Sequence, residues 1–308
     1  MLYFALIIKQ KMISVCIPIY NFNVTNLVEG LLHQIKKLES KVEIILIDDA
    51  SKVKYREINS KFKNKCKYVQ LEKNIGRSRI RNLFLYYVNY EYLLFLDCDG
   101  RIIQSDFLSK YTRCIKKYPN SVIYGGRVYP EKQTNNKEKL AWRYGVKTES
   151  KPASIRKKYP RKYFMTNNFI VPRKVFNKVR FDEEILQYGY EDTLFGFELK
   201  KIQISINHID NPVLNNHLEE NLTYLRKEEK AIQNLVYILR NTTNKMDLIN
   251  EIKLLKTYFY FKKIEILIRL IFWLTKKPIR LMVKNSIISL HLFNFYKLGY
   301  LSVQLKNT

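Results

Sequence analysis

Two acids one residue apart, Asp97 and Asp99, follow the apolar run Tyr92-Leu93-Leu94-Phe95-Leu96 and precede Gly100. Such a run reads as a buried parallel strand, and its carboxyl end is where open α/β sheets bind ligands. Carboxylates at this spacing offer hard oxygen ligands to Mg2+ or Mn2+, ions that keep several waters and bridge to phosphates. The same residues also suit a plain turn after a strand, because Asp and Gly both favour turns. Two further acidic pairs widen the chemistry. Asp48-Asp49 ends the run Val42–Ile47 in the same manner, and Glu191-Asp192 comes late in the chain. In a parallel sheet the first two pairs converge on one edge beside Pro18-Ile19-Tyr20-Asn21, an edge able to hold a nucleotide.

Between these acids lies Asn74-Ile75-Gly76-Arg77-Ser78-Arg79-Ile80-Arg81-Asn82. Its three arginines fall on alternate residues, so one helix face cannot carry all three. Gly76 at a helix start lets a phosphate approach closely, with Arg77 or Arg81 adding charge. Taken singly, each arginine also fits a solvated helix surface.

Positioning these groups requires alternating strands and helices. Apolar, β-branched runs predict strands at Ile13–Ile19, Val42–Ile47, Tyr68–Leu71 and Tyr92–Leu96. Helical spacing predicts helices over Asn23–Leu38, Val53–Phe62 and Ile75–Val88, which implies a parallel sheet with crossover helices. Beyond Gly100 the pattern loosens to a helix at Phe107–Tyr118 and a strand at Val122–Tyr124. Further strands are expected within Phe164–Val171 and Ile202–His208. Residues 130–163 are polar, with Arg156-Lys157-Lys158 and Arg161-Lys162 crowded together, and read as a loop with a solvated charge run. From Asn221 onward the chain turns helical.

In order, Ser14-Val15-Cys16-Ile17-Pro18-Ile19-Tyr20-Asn21, Ile47-Asp48-Asp49-Ala50-Ser51, Asn74 to Asn82 and Leu96-Asp97-Cys98-Asp99 resemble the motif set of family-2 glycosyltransferases, of the kind that build bacterial surface polysaccharides. Each motif alone is weak; the ordered set, with Glu191-Asp192, is specific. The resemblance covers residues 12–218 and implies an α/β fold of GT-A type, a Rossmann-like, mainly parallel mixed sheet, followed by a helical extension over 219–308. It further implies a metal-dependent, inverting transfer of a sugar from a nucleotide-diphosphate donor, a UDP-sugar, to a hydroxyl of a glycan or lipid-linked acceptor. Pro18 and Tyr20 would line the nucleoside pocket, and Asp49 would bond the base. Asn74, Gly76, Arg77 and Arg81 would lie about the diphosphate. Asp97 would approach the ribose or sugar, and Asp99 would hold Mn2+ or Mg2+ with Asp97 as weaker partner. Asp192 matches the catalytic base, preceded by Glu191; as a base it must be ionised, so its pKa need not be raised far. Thr166, Asn167, Asn168 and Trp142 would serve the acceptor side. Ala50 stands where the family often has glycine, a harmless replacement if its φ is negative. His208 and His217 match no metal-ligand spacing and are left out of the metal set.

The composition narrows the remaining choices. The 308 residues carry a formal charge of +27, which attracts acidic partners, though Lys, Ile, Asn and Tyr are abundant together, as AT-rich coding alone would produce. Four scattered cysteines with no Cys-x-x-Cys pair argue against a zinc site or disulfides and for a reducing compartment. The apolar start Met1–Ile8 is too short to span a membrane and lacks signal-peptide features; residues 1–11 form an extension, with Met12 as the favoured start. Over residues 251–308, eleven basic residues face Glu251 and Glu265, with Phe, Ile, Leu and Trp273 between them. That pattern suits a helix lying on an anionic membrane, and also a helix packed on the domain. No nucleic-acid motif is present. A cytoplasmic protein peripheral to the inner face of the cell membrane is therefore expected. Two rivals remain: a haloacid-dehalogenase-like phosphatase phosphorylated on Asp97, which would want Thr where Arg101 stands, and a non-catalytic basic membrane-binding protein.

Overall fold

The computed structural model describes residues 12–133, 135–185, 188–242 and 244–306; the expected N-terminal extension lies outside them. Apolar runs form β1 (Ile13–Ile19), β2 (Val42–Asp48), β3 (Lys67–Gln70) and β4 (Tyr92–Leu96), alternating with α1 (Thr25–Ile35), α2 (Val53–Ser60) and α3 (Arg77–Leu83). Then come β5 (Gly100–Ile102), α4 (Phe107–Lys117), β6 (Val122–Tyr124), β7 (Arg127–Val128), α5 (Lys139–Thr148), α6 (Ala153–Arg156), β8 (Asn168–Pro172), α7 (Arg173–Lys178), α8 (Glu191–Lys201), β9 (Ile206–His208) and β10 (Val213–Asn215). Among the described residues, one sheet has seven strands in the order β3-β2-β1-β4-β8-β6-β9. All its pairs are parallel except those of β8, which runs against β4 and β6. A second, three-stranded sheet orders β5-β10-β7.

The register explains the shared edge. Ile19 pairs with Asp48, and Cys16 with Phe95, so β1, β2 and β4 all end on the same side. Leu96 lies opposite Asn168, so antiparallel β8 begins there. Side chains alternate along each strand. Val15, Ile17, Leu46 and Leu94 face one core with α1 and α4, and Cys16, Ile45, Ile47 and Phe95 face another with α3 and α7. The second core is a phenylalanine stack in which Phe181 lies 4.5 Å from Phe195.

After β10 come α9 (Asn221–Asn241), α10 (Lys245–Glu251), α11 (Lys253–Tyr260), α12 (Glu265–Lys284) and α13 (Leu290–Lys306). Their third core includes Leu140 of α5 and Ile185. The helical extension is therefore packed against the α/β unit instead of trailing from it. None of these helices is long and apolar enough to cross a membrane.

Two expectations need correcting. Residues 130–163 are not a solvated loop, because α5 and α6 lie within them. Arg156 is buried, donating to the carbonyls of Gly125 (3.1 Å), Ile209 (2.7 Å) and Lys151 (2.7 Å) and to Nδ1 of His208 (2.9 Å). The other ring nitrogen of His208 donates to Pro160 O (2.8 Å). Burial pushes this histidine down to about 4, so it is a neutral structural partner. Ala50 also has positive φ, 60°, where a Cβ crowds the backbone. Replacing Ala50 by glycine is expected to stabilise the protein by about 1 kcal/mol, a rise of roughly 2 °C in Tm. A thermal melt giving no rise would contradict that strain.

Candidate active site

The ends of β1 and β2 are tied to each other before they meet any ligand. Asp48 accepts from Ser51 N (2.7 Å), Asn21 N donates to Ser51 Oγ (2.8 Å), and Lys52 N donates to Asn21 Oδ1 (2.8 Å). Asp48 therefore shapes the turn and Asp49 reaches the open side. The Asp49 carboxylate accepts from Ile75 N (2.7 Å) and Gly76 N (3.1 Å). The amides at the start of α3, expected to meet a phosphate, are thus held by a protein carboxylate. Burial raises the Asp49 pKa and those two amides restrain the rise.

A cleft of about 680 Å³ opens over this edge. Pro18, Tyr20, Asp49, Asn74, Gly76, Arg77, Asp97, Asp99, Thr166, Asn167, Glu191 and Asp192 all line it. Arg81 does not. It is buried behind Asp97, donating to Oδ1 at 2.9 Å, so it braces that carboxylate. Asn168 is also buried behind the cleft, donating to the carbonyls of Gly126 and Asn211 and accepting from Tyr111. Trp142 is placed elsewhere, donating to Pro130 O (2.7 Å), while Tyr144, two residues on, lines the cleft. The Nδ2 group of Asn167 is a buried donor with no partner among the described residues.

Around Asp97 and Asp99 the charges are arranged in layers. Arg127, which opens β7, lies 3.9 Å from Asp97 and 3.6 Å from Glu149, whose carboxylate accepts from the Tyr129 hydroxyl. Among the described residues no side chain bonds to Asp99. Its pKa is raised by burial first and Asp97 next, and Arg127 opposes the rise. Arg77 reaches the far wall, 3.7 Å from Glu191 and 4.7 Å from the Tyr188 ring.

Glu191 and Asp192 open α8 after a strained turn. Gly189 has φ 107° and Tyr190 φ 66°. A side chain at Gly189 would collide with Ala231 of α9, so only glycine lets this turn seat against the helical extension. Gly189 N donates to Glu191 (2.9 Å), and Asn234 of α9 donates to Gly189 O. Asp192 accepts from Thr193 N (2.7 Å). Burial and the neighbouring Glu191 carry the Asp192 pKa up to about 7. This corrects the expectation of a small shift: desolvation outweighs the helix start, which favours the anion.

The helical extension supplies cleft residues that no motif announced: Tyr224, Lys227, Glu228 and Lys297. Lys297 is buried, 2.6 Å from Glu228 and 4.8 Å from the Tyr144 ring. His217 also lines the cleft, its ring against Phe22. Arg127 had one local signal, its place after Gly125-Gly126 at a strand end; the helical residues had none.

Comparison with known proteins agrees with this arrangement. Residues 14–180, more than half of the chain, match the family described as Glycosyl transferase family 2. Chondroitin synthase of Pasteurella multocida (strain Pm70) is 26% identical over 225 residues, which cover 62% of this chain and 23% of that protein. Glycosyltransferase GlyG of Streptococcus pneumoniae serotype 4 is 29% identical over 129 residues, 41% of this chain and 42% of GlyG. The matches thus span under half the length of these relatives. Among solved structures, S. aureus TarS 1-349 in complex with UDP-GlcNAc has a TM-score of 0.51 at 17% identity, covering 96% of this chain and 91% of that one. The mannosyltransferase PcManGT from Pyrobaculum calidifontis, in complex with GDP-Man and Mn2+, has a TM-score of 0.54 at 14% identity, covering 96% and 74%. At these identities the likeness is one of fold, the GT-A arrangement seen in the mainly parallel sheet. By its matched residues, the chain belongs to glycosyl transferase family 2.

Proposed function

We propose that this protein transfers a sugar from a nucleoside-diphosphate donor, a UDP-sugar, to a hydroxyl of a glycan or lipid-linked acceptor, with inversion at the anomeric carbon. The observation that carries the reading is the meeting of Asp49, Asp97, Asp99 and Asp192 in one cleft. In this reading Pro18 and Tyr20 flank the nucleoside, and Asp49 accepts from the base. Arg77 faces the diphosphate, and Asp97, braced by Arg81, faces the ribose and sugar.

A divalent cation fits the donor set. Asp99 presents hard oxygens that no side chain among the described residues bonds, while its raised pKa marks a site that positive charge would relieve. Among the described residues no three His, Cys, Asp or Glu side chains form a closed site. That suits Mg2+ or Mn2+, which fill their coordination from substrate phosphates and water. Asp99 would hold the ion, with Asp97 beside it. When bound, the cation neutralises charge developing on the departing diphosphate. Asp192, ionised, takes the proton from the acceptor hydroxyl as that oxygen attacks from the side opposite the leaving group, and a single displacement inverts the centre. UDP-GlcNAc bound by TarS, and GDP-Man with Mn2+ bound by PcManGT, support a nucleotide-sugar donor and a cation. The basic extension supports work at the cytoplasmic face of an anionic membrane, where lipid-linked acceptors reside.

A thermal-shift panel of nucleoside diphosphates and their sugars, with and without Mn2+, tests the donor. One nucleotide should stabilise the protein selectively, by about 2.7 kcal/mol at a hundredfold excess over Kd, and only with the cation. Equal response to every nucleotide, or to none, contradicts the reading.

A further inference from the structure

One face of α12 is unlike the rest of the surface. Its inner face, Ile268, Phe272, Ile279 and Val283, is buried, and the Phe272 ring lies against Gly299 of α13, where any side chain would collide with it. On the outer face Ile266 is 74% exposed, Leu270 54%, Trp273 75% and Leu274 59%. These residues fall on successive turns, so they form one continuous apolar strip. Tyr260, Phe261 and Ile264 extend it at the amino end, and all are exposed. Water-facing strips of this kind mark interaction surfaces.

Charge decides the occupant. Lys262-Lys263 flank the strip near its amino end and Lys276-Lys277 follow it, with Lys284 about two turns further on. The one acid in the helix, Glu265, is engaged by Arg269 (3.4 Å) and by the Tyr258 hydroxyl (2.6 Å). An apolar strip bracketed by lysines, with an exposed tryptophan at its edge, suits an interface of acyl chains and negative headgroups. A second copy of the chain would bring the same lysines together and repel.

We propose that the outer face of α12 docks this protein on an anionic lipid bilayer, lying in the headgroup layer without crossing it. The inference extends the membrane part of the proposed function to a defined surface. Donor turnover in solution does not depend on it, so the two can fail separately. Because α13 packs on α12 and carries Lys297 into the cleft wall, the docked face sits one helix layer from the site where an acceptor would be held.

The test is co-sedimentation of the full chain with two vesicle types. One is phosphatidylcholine alone; the other is phosphatidylcholine and phosphatidylglycerol in equal parts. Wild type should partition to the anionic vesicles and release as salt rises. The pair Leu270→Ser and Trp273→Ser should weaken partitioning roughly a hundredfold. Lys263→Glu with Lys277→Glu should weaken it at least about tenfold on anionic vesicles only. All four positions are exposed, so unchanged melting and nucleotide-stabilised melting would certify the fold. Wild type that ignores both vesicles, or a serine variant that binds like wild type, overturns the proposal. So would a doubled molar mass in solution that falls to monomer in the serine variant, which assigns the face to a second copy.

Discussion

Replacing Asp99 by alanine is expected to leave the fold intact and lower transfer about a thousandfold, since metal neutralisation of a leaving group is worth several kcal/mol and each 1.4 is tenfold. No side-chain donor holds Asp99 among the described residues, so its loss strands no side-chain partner in the wall. Melting without ligand should therefore match wild type or exceed it slightly, because one acid leaves a crowded cluster. Stabilisation by nucleotide plus Mn2+ should vanish. Asp97→Ala should behave differently, because it strands the buried Arg81 guanidinium, which already has unpaired nitrogens. That variant should lose stability as well as activity. Transfer retained in Asp99→Ala would remove the cation from this site.

Asp192→Asn is the second large effect. A positioned general base contributes roughly 10²–10⁴-fold, so kcat should fall by about that factor with donor affinity nearly kept. The pH dependence follows from a carboxyl near 7. In wild type, transfer should rise with pH through an acidic limb centred near 7, absent from the residual rate of the variant. Stability has the opposite sense. The folded-state pKa lies above the ordinary 3.8, so the folded chain holds a proton that the unfolded chain releases. Between about 4 and 7 wild type loses stability as pH rises, and the loss then levels off. Asp192→Asn should melt higher than wild type at pH 8, and the gap should close toward pH 4. Parallel melting curves would show that Asp192 titrates normally.

Part of this site could be read directly from the chain. Strands β1, β2 and β4 are buried on both faces over most of their length, so each shows as an apolar run, and acids close the last two. The strand expected over Phe164–Val171 starts later than its apolar run: Phe164 packs its ring against Phe169 and Phe195 from a loop, and β8 begins at Asn168. The basic segment around Arg156 looked solvated because charge usually is. The distant carbonyls of Gly125 and Ile209 and the His208 ring offset the burial of that guanidinium, and no local spacing encodes them. Nor does spacing show that α9 and α13 close the cleft, since Lys227, Glu228 and Lys297 meet only through packing. The Asp192 shift was hidden for the same reason: desolvation belongs to the assembled wall, not to Gly189-Tyr190-Glu191-Asp192.

The most direct measurement is release of nucleoside diphosphate from a panel of UDP- and GDP-sugars by the purified chain with Mn2+, alongside release of phosphate from phosphomonoesters. The expected result is cation-dependent release from one nucleotide-sugar, abolished in Asp99→Ala and slowed by orders of magnitude in Asp192→Asn, with no phosphatase activity. No release from any nucleotide-sugar, together with phosphate release that depends on Asp97, would contradict a glycosyl-transfer site.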